Sequence, residues 1–227
     1  MISEKMTAIG KSPSKIREIF EYSRKRKAEI GDDKVFDFSL GNPNIPSPEN
    51  VNETIIDLIR NTESTALHGY TSAVGDFKTR SVIAENIGKR FGFTCSPDNL
   101  YMTCGAAASL EITLKALCNE GDEVIALCPY FPEYKVFIEN ANAKTVEVAC
   151  REGDLGIDIQ NIKAALSGKT KAIIVNSPNN PSGVVFSKED IKALADLLEE
   201  HGKKINSAVY IICDEPYREI VYGDIEV

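Results

Sequence analysis

The sequence predicts an α/β protein in which a mainly parallel sheet carries helices on both faces. After residue 98, short apolar, β-branched runs alternate regularly with helical stretches, which is typical of β-α-β units. The chain has 227 residues, of which 43% are hydrophobic and 26% charged, so it can form one substantial core or two modest domains. Right-handed crossover connections are expected for such units.

The alternating region contains five predicted strands and the helices between them. The strands are Leu100–Thr103, Glu123–Cys128, Ala143–Ala149, Lys171–Asn176 and Ala208–Cys213. The helices are Ala106–Asn119, Glu133–Asn140, Ile159–Leu166 and Lys188–Glu200. Each helix stands between two strands, as a parallel sheet requires.

The region before residue 98 is less regular. Ser12 and Pro13 supply an N-cap and a first-turn proline for a helix predicted from Pro13 to Ile30. Val35–Leu40 is predicted to be a strand because its alternate apolar residues fall on one face, and the proline-rich segment 41–48 is predicted to be a loop. Two further helices are predicted, Pro48–Arg60 and Asp76–Arg90.

Charge and hydropathy argue against several classes of partner. Lysine and arginine total 26 against 34 acidic residues, and the net charge of −8 repels phosphate backbones, so we expect no nucleic acid partner. No apolar stretch approaches the roughly 20 residues of a membrane span, and Met1 to Lys11 lacks the apolar run of a signal peptide. We therefore expect no membrane association and a cytoplasmic location.

The cysteine and histidine positions predict no metal site. The cysteines are too widely spaced for C-x-x-C pairs, and the only histidines are His68 and His201. We expect the cysteines to be buried, reduced thiols. They are Cys95, Cys104, Cys118, Cys128, Cys150 and Cys213.

The candidate site consists of the residues that follow the predicted strands, because ligands of open α/β sheets bind outside the carboxyl ends of strands. Small residues at 104–109 open a helix and leave its first N–H groups available to a phosphate. Aromatic residues occur at 129–134, and a stiff turn at 176–183 can fix the Asn180 amide. Asp214 leaves the last strand, and Tyr217 follows three residues later.

Each of these features also has an ordinary structural explanation. Small residues at a helix start pack closely, aromatic residues at strand ends are often core, Asn-Pro is common in turns, and an aspartate after a strand is often an N-cap. Their conjunction at one sheet edge instead favours a planar, phosphorylated, aromatic ligand with a basic ring nitrogen.

Competing motifs are not supported. Residues 167–170 read Ser-Gly-Lys-Thr, but Lys163 stands where a phosphate-binding loop needs a glycine. No G-x-G-x-x-G follows a predicted strand, and the sequence contains no G-x-S-x-G. The sequence therefore predicts neither an NTPase, nor a Rossmann oxidoreductase, nor an α/β-hydrolase.

A family resemblance runs from the loop Gly41-Asn42-Pro43 to the end of the chain. Its strongest marks are Tyr70 with Gly75, Thr103–Ala108, Pro129–Pro132, Asn180–Gly183 and Asp214–Tyr217. In this order they resemble the class I/II aminotransferases of fold type I, which use pyridoxal 5′-phosphate (PLP). The resemblance implies the large-domain fold of PLP-dependent transferases. It also implies transfer of an amino group between an amino acid and a 2-oxo acid by a homodimer.

The resemblance implies catalytic roles for Asp214 and Tyr217. Asp214 would pair with the pyridine nitrogen and keep it protonated, so that the ring acts as an electron sink. Asn180 and Tyr217 would hydrogen-bond the phenolic oxygen of the ring, and Phe131 would stack on its face.

The other implied contacts concern the phosphate and the substrate. The N–H groups of Ala106 and Ala107, after the turn at Gly105, would hold the phosphate. Tyr70 would reach the phosphate of the neighbouring subunit's cofactor. Gly41 would lie near the substrate carboxylate, and Asn180 would also contact the substrate.

The sequence departs from the family at its end. The family's Schiff-base lysine follows the D-x-x-Y motif, whereas no lysine occurs between Tyr217 and Val227. We therefore expect the N-terminal part of a longer enzyme, with residues 1–45 from a small domain and 46–227 from an incomplete cofactor-binding domain. Alone, these residues are expected to bind the cofactor weakly and to be inactive.

Three alternative functions remain open. PLP-dependent carbon–sulfur lyases, like decarboxylases and cyclopropane-forming synthases, share these motifs, and we favour an aminotransferase because it is the commonest activity of the fold. A non-catalytic PLP-binding domain is a second alternative. A phosphotransferase that binds magnesium through Asp214 and Glu215 is a third.

Overall fold

The computed structural model describes residues 2–11, 15–41, 45–223, 225 and 227. The predicted helix start at Ser12 and Pro13 and the loop residues 42–44 lie outside the described residues. The chain divides into two compact units, Met1–Tyr70 and Thr71–Val227. The assignment of residues 1–45 to a small domain and 46–227 to a large one stays a prediction.

The first unit is helical where it is regular. Its α-helices are α1 (Glu4–Lys11), α2 (Lys15–Ile30), α3 (Glu49–Asn61) and α4 (Ser64–His68). Helices α2 and α3 are close to their predicted bounds, whereas α1 and α4 were not predicted. Glu63 caps α4, because its carboxylate accepts hydrogen bonds from the backbone N–H groups of Thr65 and Ala66.

The predicted strand Val35–Leu40 is wrong. The segment is irregular and no strand pairs with it among the described residues. The Asp37 carboxylate accepts hydrogen bonds from the N–H of Ser39 at 2.9 Å and from its hydroxyl at 2.6 Å, so the chain bends where a strand would continue. Phe36 and Phe38 are 82% and 93% exposed, so the alternating pattern buries no face within this unit.

The second unit has the predicted α/β fold. Its helices are α5 (Phe77–Phe91), α6 (Ala106–Leu117), α7 (Glu133–Asn140), α8 (Ile159–Ala165) and α9 (Lys188–Ile205). Its strands are β1 (Glu123–Cys128), β2 (Lys144–Ala149), β3 (Thr170–Asn176) and β4 (Tyr210–Asp214). These four strands lie close to their predicted bounds.

The four strands form one parallel sheet in the order β2-β1-β3-β4. Alternate side chains of the central strands enter two separate cores. Ile125 of β1 and Ile173 of β3 pack with helix α9, whereas Val124 and Ile174 pack with helices α6 and α7. Helices therefore cover both faces of the sheet, and the carboxyl ends of all four strands meet at one edge.

The predicted strand Leu100–Thr103 is also wrong. The segment is extended, but its backbone hydrogen bonds, from Leu100 N–H to the Pro97 carbonyl and from Met102 N–H to the Val74 carbonyl, both at 3.1 Å, form no strand ladder. Arg80, which is only 5% exposed, connects two nearby segments of the same chain. It donates hydrogen bonds to the carbonyl oxygens of Gly75 at 3.3 Å and Pro97 at 2.5 Å. This anchored segment leads directly into the start of α6.

The cysteines are less buried than the sequence predicted. All six cysteines are free, but none is fully buried, because Cys104 and Cys213 are exposed and the other four are only half-buried. Cys213 lies on β4, which is an edge strand of the described sheet and buries less of its surface than β1 or β3.

In the part of the chain that the structure describes, no helix combines the length and apolar character needed to cross a bilayer.

Replacing Gly75 by alanine is expected to destabilise the protein. Gly75 has φ +96°, and an added Cβ would overlap Met102 Cγ and lie 2.6 Å from Met102 Cβ. The strained backbone costs about 1–2 kcal/mol and the overpacking about 1–3 kcal/mol more. The free energy of unfolding in urea measures the loss.

Gly121→Ala is the matched control. Gly121 also has a positive φ, +83°, but an added Cβ would meet no atom within 4 Å. This variant carries the backbone strain alone, so it should lose about 1–2 kcal/mol. Equal losses in the two variants would contradict the close approach of Gly75 and Met102.

Candidate cofactor and active site

A cavity of about 250 Å³ opens at the carboxyl edge of the sheet. Strands β3 and β4 contribute Asn176 and Asp214 to its lining, and the following loops contribute Asn180 and Tyr217. The first turns of α6 and the segment around α7 form the remaining walls. The cavity therefore lies where the topology of an open α/β sheet predicts a ligand site.

Asp214 is held by the hydroxyl of Tyr134. This hydroxyl donates a hydrogen bond to Asp214 Oδ2 at 2.6 Å, and the Tyr134 side chain is 1% exposed. Burial, and then the hydrogen bond to Asp214, raise the pKa of Tyr134 well above its ordinary value. Tyr134 therefore stays protonated at neutral pH and remains a donor to the carboxylate.

Asn176 links Asp214 to the next loop. Its side-chain Nδ2 donates to the backbone carbonyl of Asp214 at 2.8 Å, and its Oδ1 accepts from the N–H of Asn180 at 2.6 Å. Asn176 is 4% exposed, so both ends of a buried amide are satisfied. The positions of Asp214 and Asn180 are thereby tied to one strand end.

Asn180 and Tyr217 come together at the cavity, as the sequence predicted. Asn180 Nδ2 lies 3.5 Å from the Tyr217 hydroxyl oxygen, the outer limit of a hydrogen bond. The turn that carries Asn180 is held by Asn179, whose Oδ1 accepts from the N–H of Ser182 at 3.1 Å and from its hydroxyl at 2.8 Å. The amide and the phenol can therefore approach the same atom of a ligand.

The start of α6 has the backbone features of an anion site. Gly105 is the N-cap residue with φ +87°, and no side chain caps the helix. A Cβ on Gly105 would meet no atom within 4 Å, so the space beside this turn is open. Ala106 and Ala107 line the cavity, and their N–H groups belong to a helix terminus with a partial positive charge.

Phe131 forms an aromatic wall of the cavity. Its ring meets the Tyr134 ring edge to face, with centroids 5.6 Å apart. Tyr130 is not part of this wall, because its hydroxyl donates to Glu147 Oε1 at 2.6 Å on β2. Of the two adjacent aromatic residues, the structure therefore brings the predicted Phe131 to the cavity.

The donor set fits pyridoxal 5′-phosphate. Asp214 offers a carboxylate to a protonated ring nitrogen, and Asn180 with Tyr217 offers hydrogen bonds to a phenolic oxygen. The uncapped N-terminus of α6 suits the phosphate, and Phe131 suits a ring face. The ring nitrogen, the phenolic oxygen, the phosphate and the ring face of the group each have a matching partner at this cavity.

Two predicted site residues lie in the other unit. Gly41 and Tyr70 belong to the unit Met1–Tyr70, and the cavity lies wholly in Thr71–Val227. Their assignments to the substrate carboxylate and to a neighbouring subunit's phosphate stay predictions.

Tyr134 and Asn176 lie within the predicted site segments, but the sequence analysis assigned neither of them a role. Asn176 had a signal in the sequence, because it is a polar residue at the end of an otherwise apolar strand. Tyr134 follows Phe131 at helical spacing, which equally predicts a core aromatic residue, and its ring does pack in the core. What the spacing could not show was that its hydroxyl reaches a strand 80 residues away in sequence.

Comparison with known proteins gives consistent matches. The sequence profile of the family described as aminotransferase class I and II matches residues 33–227. Aspartate aminotransferase of Thermotoga maritima is 34% identical over 228 residues, which cover 99% of this chain and 56% of that protein. This chain thus spans about half the length of the curated relatives that it matches.

Solved structures agree with these matches. The crystal structure of an amino transferase from Eubacterium rectale superposes with a TM-score of 0.96 at 50% identity, covering all of this chain and 57% of the other. Aspartate aminotransferase from Thermus thermophilus with maleate gives a TM-score of 0.84 at 27% identity, with 100% and 56% covered.

Tyr134→Phe is expected to lower the free energy of unfolding by about 1.5–3 kcal/mol, the range for a hydrogen bond to a charged group. Its pH dependence should also change. In the wild type, stability falls as pH rises past about 10, because tyrosine ionises in the unfolded state while Tyr134 stays protonated. Urea titrations between pH 7 and 11 should show a shallower fall in the variant.

Tyr130→Phe is the matched control for the hydroxyl. The Tyr130 hydroxyl donates to a carboxylate at the same 2.6 Å, but that carboxylate belongs to the exposed Glu147. Its loss at pH 7 should remain below about 1 kcal/mol. A loss as large as that of Tyr134→Phe would show that burial of the Tyr134–Asp214 hydrogen bond does not account for its contribution to stability.

Proposed function

The chain belongs to the class I and II aminotransferase family, and from this premise we propose that the intact protein is a PLP-dependent aminotransferase. It would transfer an amino group between an amino acid and a 2-oxo acid. The observation that carries the proposal is the carboxylate of Asp214 in a cavity where Tyr134 donates to it and Phe131 forms a wall. A ligand with a cationic edge and an aromatic face would use all three residues.

The residues of the cavity have distinct proposed tasks. Asp214 holds the proton on the ring nitrogen, since a neighbouring negative charge favours the protonated form. Asn180 and Tyr217 donate hydrogen bonds to the phenolic oxygen, and the Ala106 and Ala107 N–H groups bind the phosphate. Once bound, the cofactor supplies an electron-accepting ring next to the substrate's α-carbon.

We propose aspartate as the first amino donor to test. Three relatives are named aspartate aminotransferase, and one of the matching structures holds maleate, which like aspartate has two carboxylates. Gly41 is proposed to lie near a substrate carboxylate. The assembly is proposed to be a cytoplasmic homodimer in which Tyr70 reaches the partner's cofactor.

Ala106→Pro is expected to weaken PLP binding about tenfold. Ala106 is the first residue of α6, where proline fits the helix but has no N–H, so one bond to a charged phosphate is lost. Ultrafiltration of the intact protein with PLP measures the dissociation constant.

Lys188→Pro and unphosphorylated pyridoxal are the controls for that variant. Lys188 is the first residue of α9 and does not line the cavity, so the same substitution there should leave PLP affinity unchanged. Pyridoxal should bind Ala106→Pro and the wild type equally. If the variant also lost affinity for pyridoxal, the α6 N-terminus would not be the phosphate site.

The activity itself is tested by supplying aspartate and 2-oxoglutarate and following glutamate. Asp214→Asn should lower kcat about 10²-fold or more, as removal of a charge partner of the reacting system does. Asp196→Asn, which breaks only a surface pair with Lys192, should not change kcat. Release of ammonia without glutamate would instead indicate elimination by a lyase and contradict the proposed transfer.

A further inference from the structure

The turn that carries Tyr217 is only weakly connected to the cavity itself. The chain leaves the sheet after Asp214, and Tyr217 lies in a turn at 216–219. Its side chain is 38% exposed, and its hydroxyl is 3.5 Å from Asn180 Nδ2, which is a weak constraint. Something else must fix the turn if Tyr217 is to meet a ligand reproducibly.

The chain is held before Tyr217 by the strand pairing of Asp214, and helix α5 holds it after Tyr217. The Arg90 guanidinium donates two hydrogen bonds to the Glu219 carboxylate, one through Nη1 to Oε1 and one through Nη2 to Oε2 at 3.3 Å. Both residues belong to the unit Thr71–Val227. Arg90 lies in the last turn of α5, so a helix from an earlier part of the chain holds the turn after β4.

Arg218 extends the same contact. Its guanidinium carbon lies 5.2 Å from the centroid of the Phe91 ring, the last residue of α5. It also donates to Glu215 at 2.7 Å and to Glu219 at 3.4 Å. Two arginines and two glutamates thus form a network around Phe91 that encloses the turn from both ends.

We propose that the pair Arg90–Glu219, the 90–219 clamp, is a positioning device that fixes the turn carrying Tyr217 at the cavity. The proposal rests on the proposed function in so far as Tyr217 is to contact the cofactor. Asp214 is fixed from the sheet side through its pairing with Asn176 on β3, and the clamp fixes the chain five residues later. Tyr217 lies between these two attachments.

The clamp acts locally rather than on global stability. Its side chains are 42% and 65% exposed, and exposed ion pairs contribute little to unfolding. A bidentate arginine within a charge network is the geometry in which such a pair still restricts motion. Loss of the clamp should therefore loosen the turn while leaving the melting temperature nearly unchanged.

Hydrogen exchange in the intact protein tests the clamp. The amides of Arg218 and Ile220 are bonded within the turn, to Glu215 O at 3.4 Å and to Tyr217 O at 2.8 Å. Arg90→Gln and Glu219→Gln should each speed their exchange about three- to tenfold, and the double variant should add little more. Arg90→Lys, which keeps the charge but not the bidentate geometry, should be intermediate.

Lys89→Gln is the matched control. Lys89 precedes Arg90 on α5 and pairs with Glu85 on the same helix, so its loss removes an exposed charge without touching the turn. It should leave exchange at Arg218 and Ile220 unchanged. Sodium chloride at about 1 M should speed exchange in the wild type but not in the double variant, because salt screens exposed charges.

The readouts separate the clamp from the proposed function. Unchanged exchange in Arg90→Gln would overturn the clamp, whatever the protein catalyses. Faster exchange with weaker PLP binding in Arg90→Gln supports both the clamp and the role of Tyr217. Faster exchange with unchanged PLP binding and an unchanged absorption spectrum of the bound cofactor supports the clamp and removes Tyr217 from the cofactor contacts.

Discussion

The candidate site depends on the amide of Asn176, at the end of the central strand β3. One end of this amide binds the Asp214 carbonyl and the other binds the Asn180 N–H. Because Asn176 is 4% exposed, breaking either bond would leave a buried polar group unsatisfied. Asp214 and Asn180, which are 34 residues apart in sequence, are thereby held in fixed positions relative to the end of the same strand.

The polar groups around the cavity are arranged with opposite charge at different walls. Asp214 supplies a carboxylate on the side of β4, and the first turn of α6 supplies N–H groups with a partial positive charge. The apolar side chains of Phe131 and Leu110 lie among them and reduce the screening of both charges. Such a cavity favours a ligand that is cationic at one end and anionic at the other, which is the charge pattern of a protonated pyridoxal phosphate.

The sequence predicted those parts of the fold and site that follow from local pattern and from the rule for parallel sheets. Asp214, Asn180 and Phe131 each come within four residues of the end of a predicted strand, so one topological rule places them at one edge. Val35–Leu40 and Leu100–Thr103 fit the strand pattern equally well, but a strand also needs a pairing partner, which no local pattern contains. The hydrogen bond from Tyr134 to Asp214 could not be predicted either, because it joins two elements that are distant in sequence.

Constraint on the chain changes in kind as it passes from Asp214 to Glu219. At Asp214 the constraint consists of strand pairing and of bonds to the buried residues Asn176 and Tyr134. At Glu219 it consists of exposed charges, whose attraction depends on salt and whose side chains lose entropy on pairing. Asp214 is thus placed on the part of the chain that strand pairing and buried hydrogen bonds hold in position. Tyr217, which is proposed to approach a ligand oxygen, lies between Asp214 and Glu219, so its position depends both on the buried bonds and on the salt-sensitive pair.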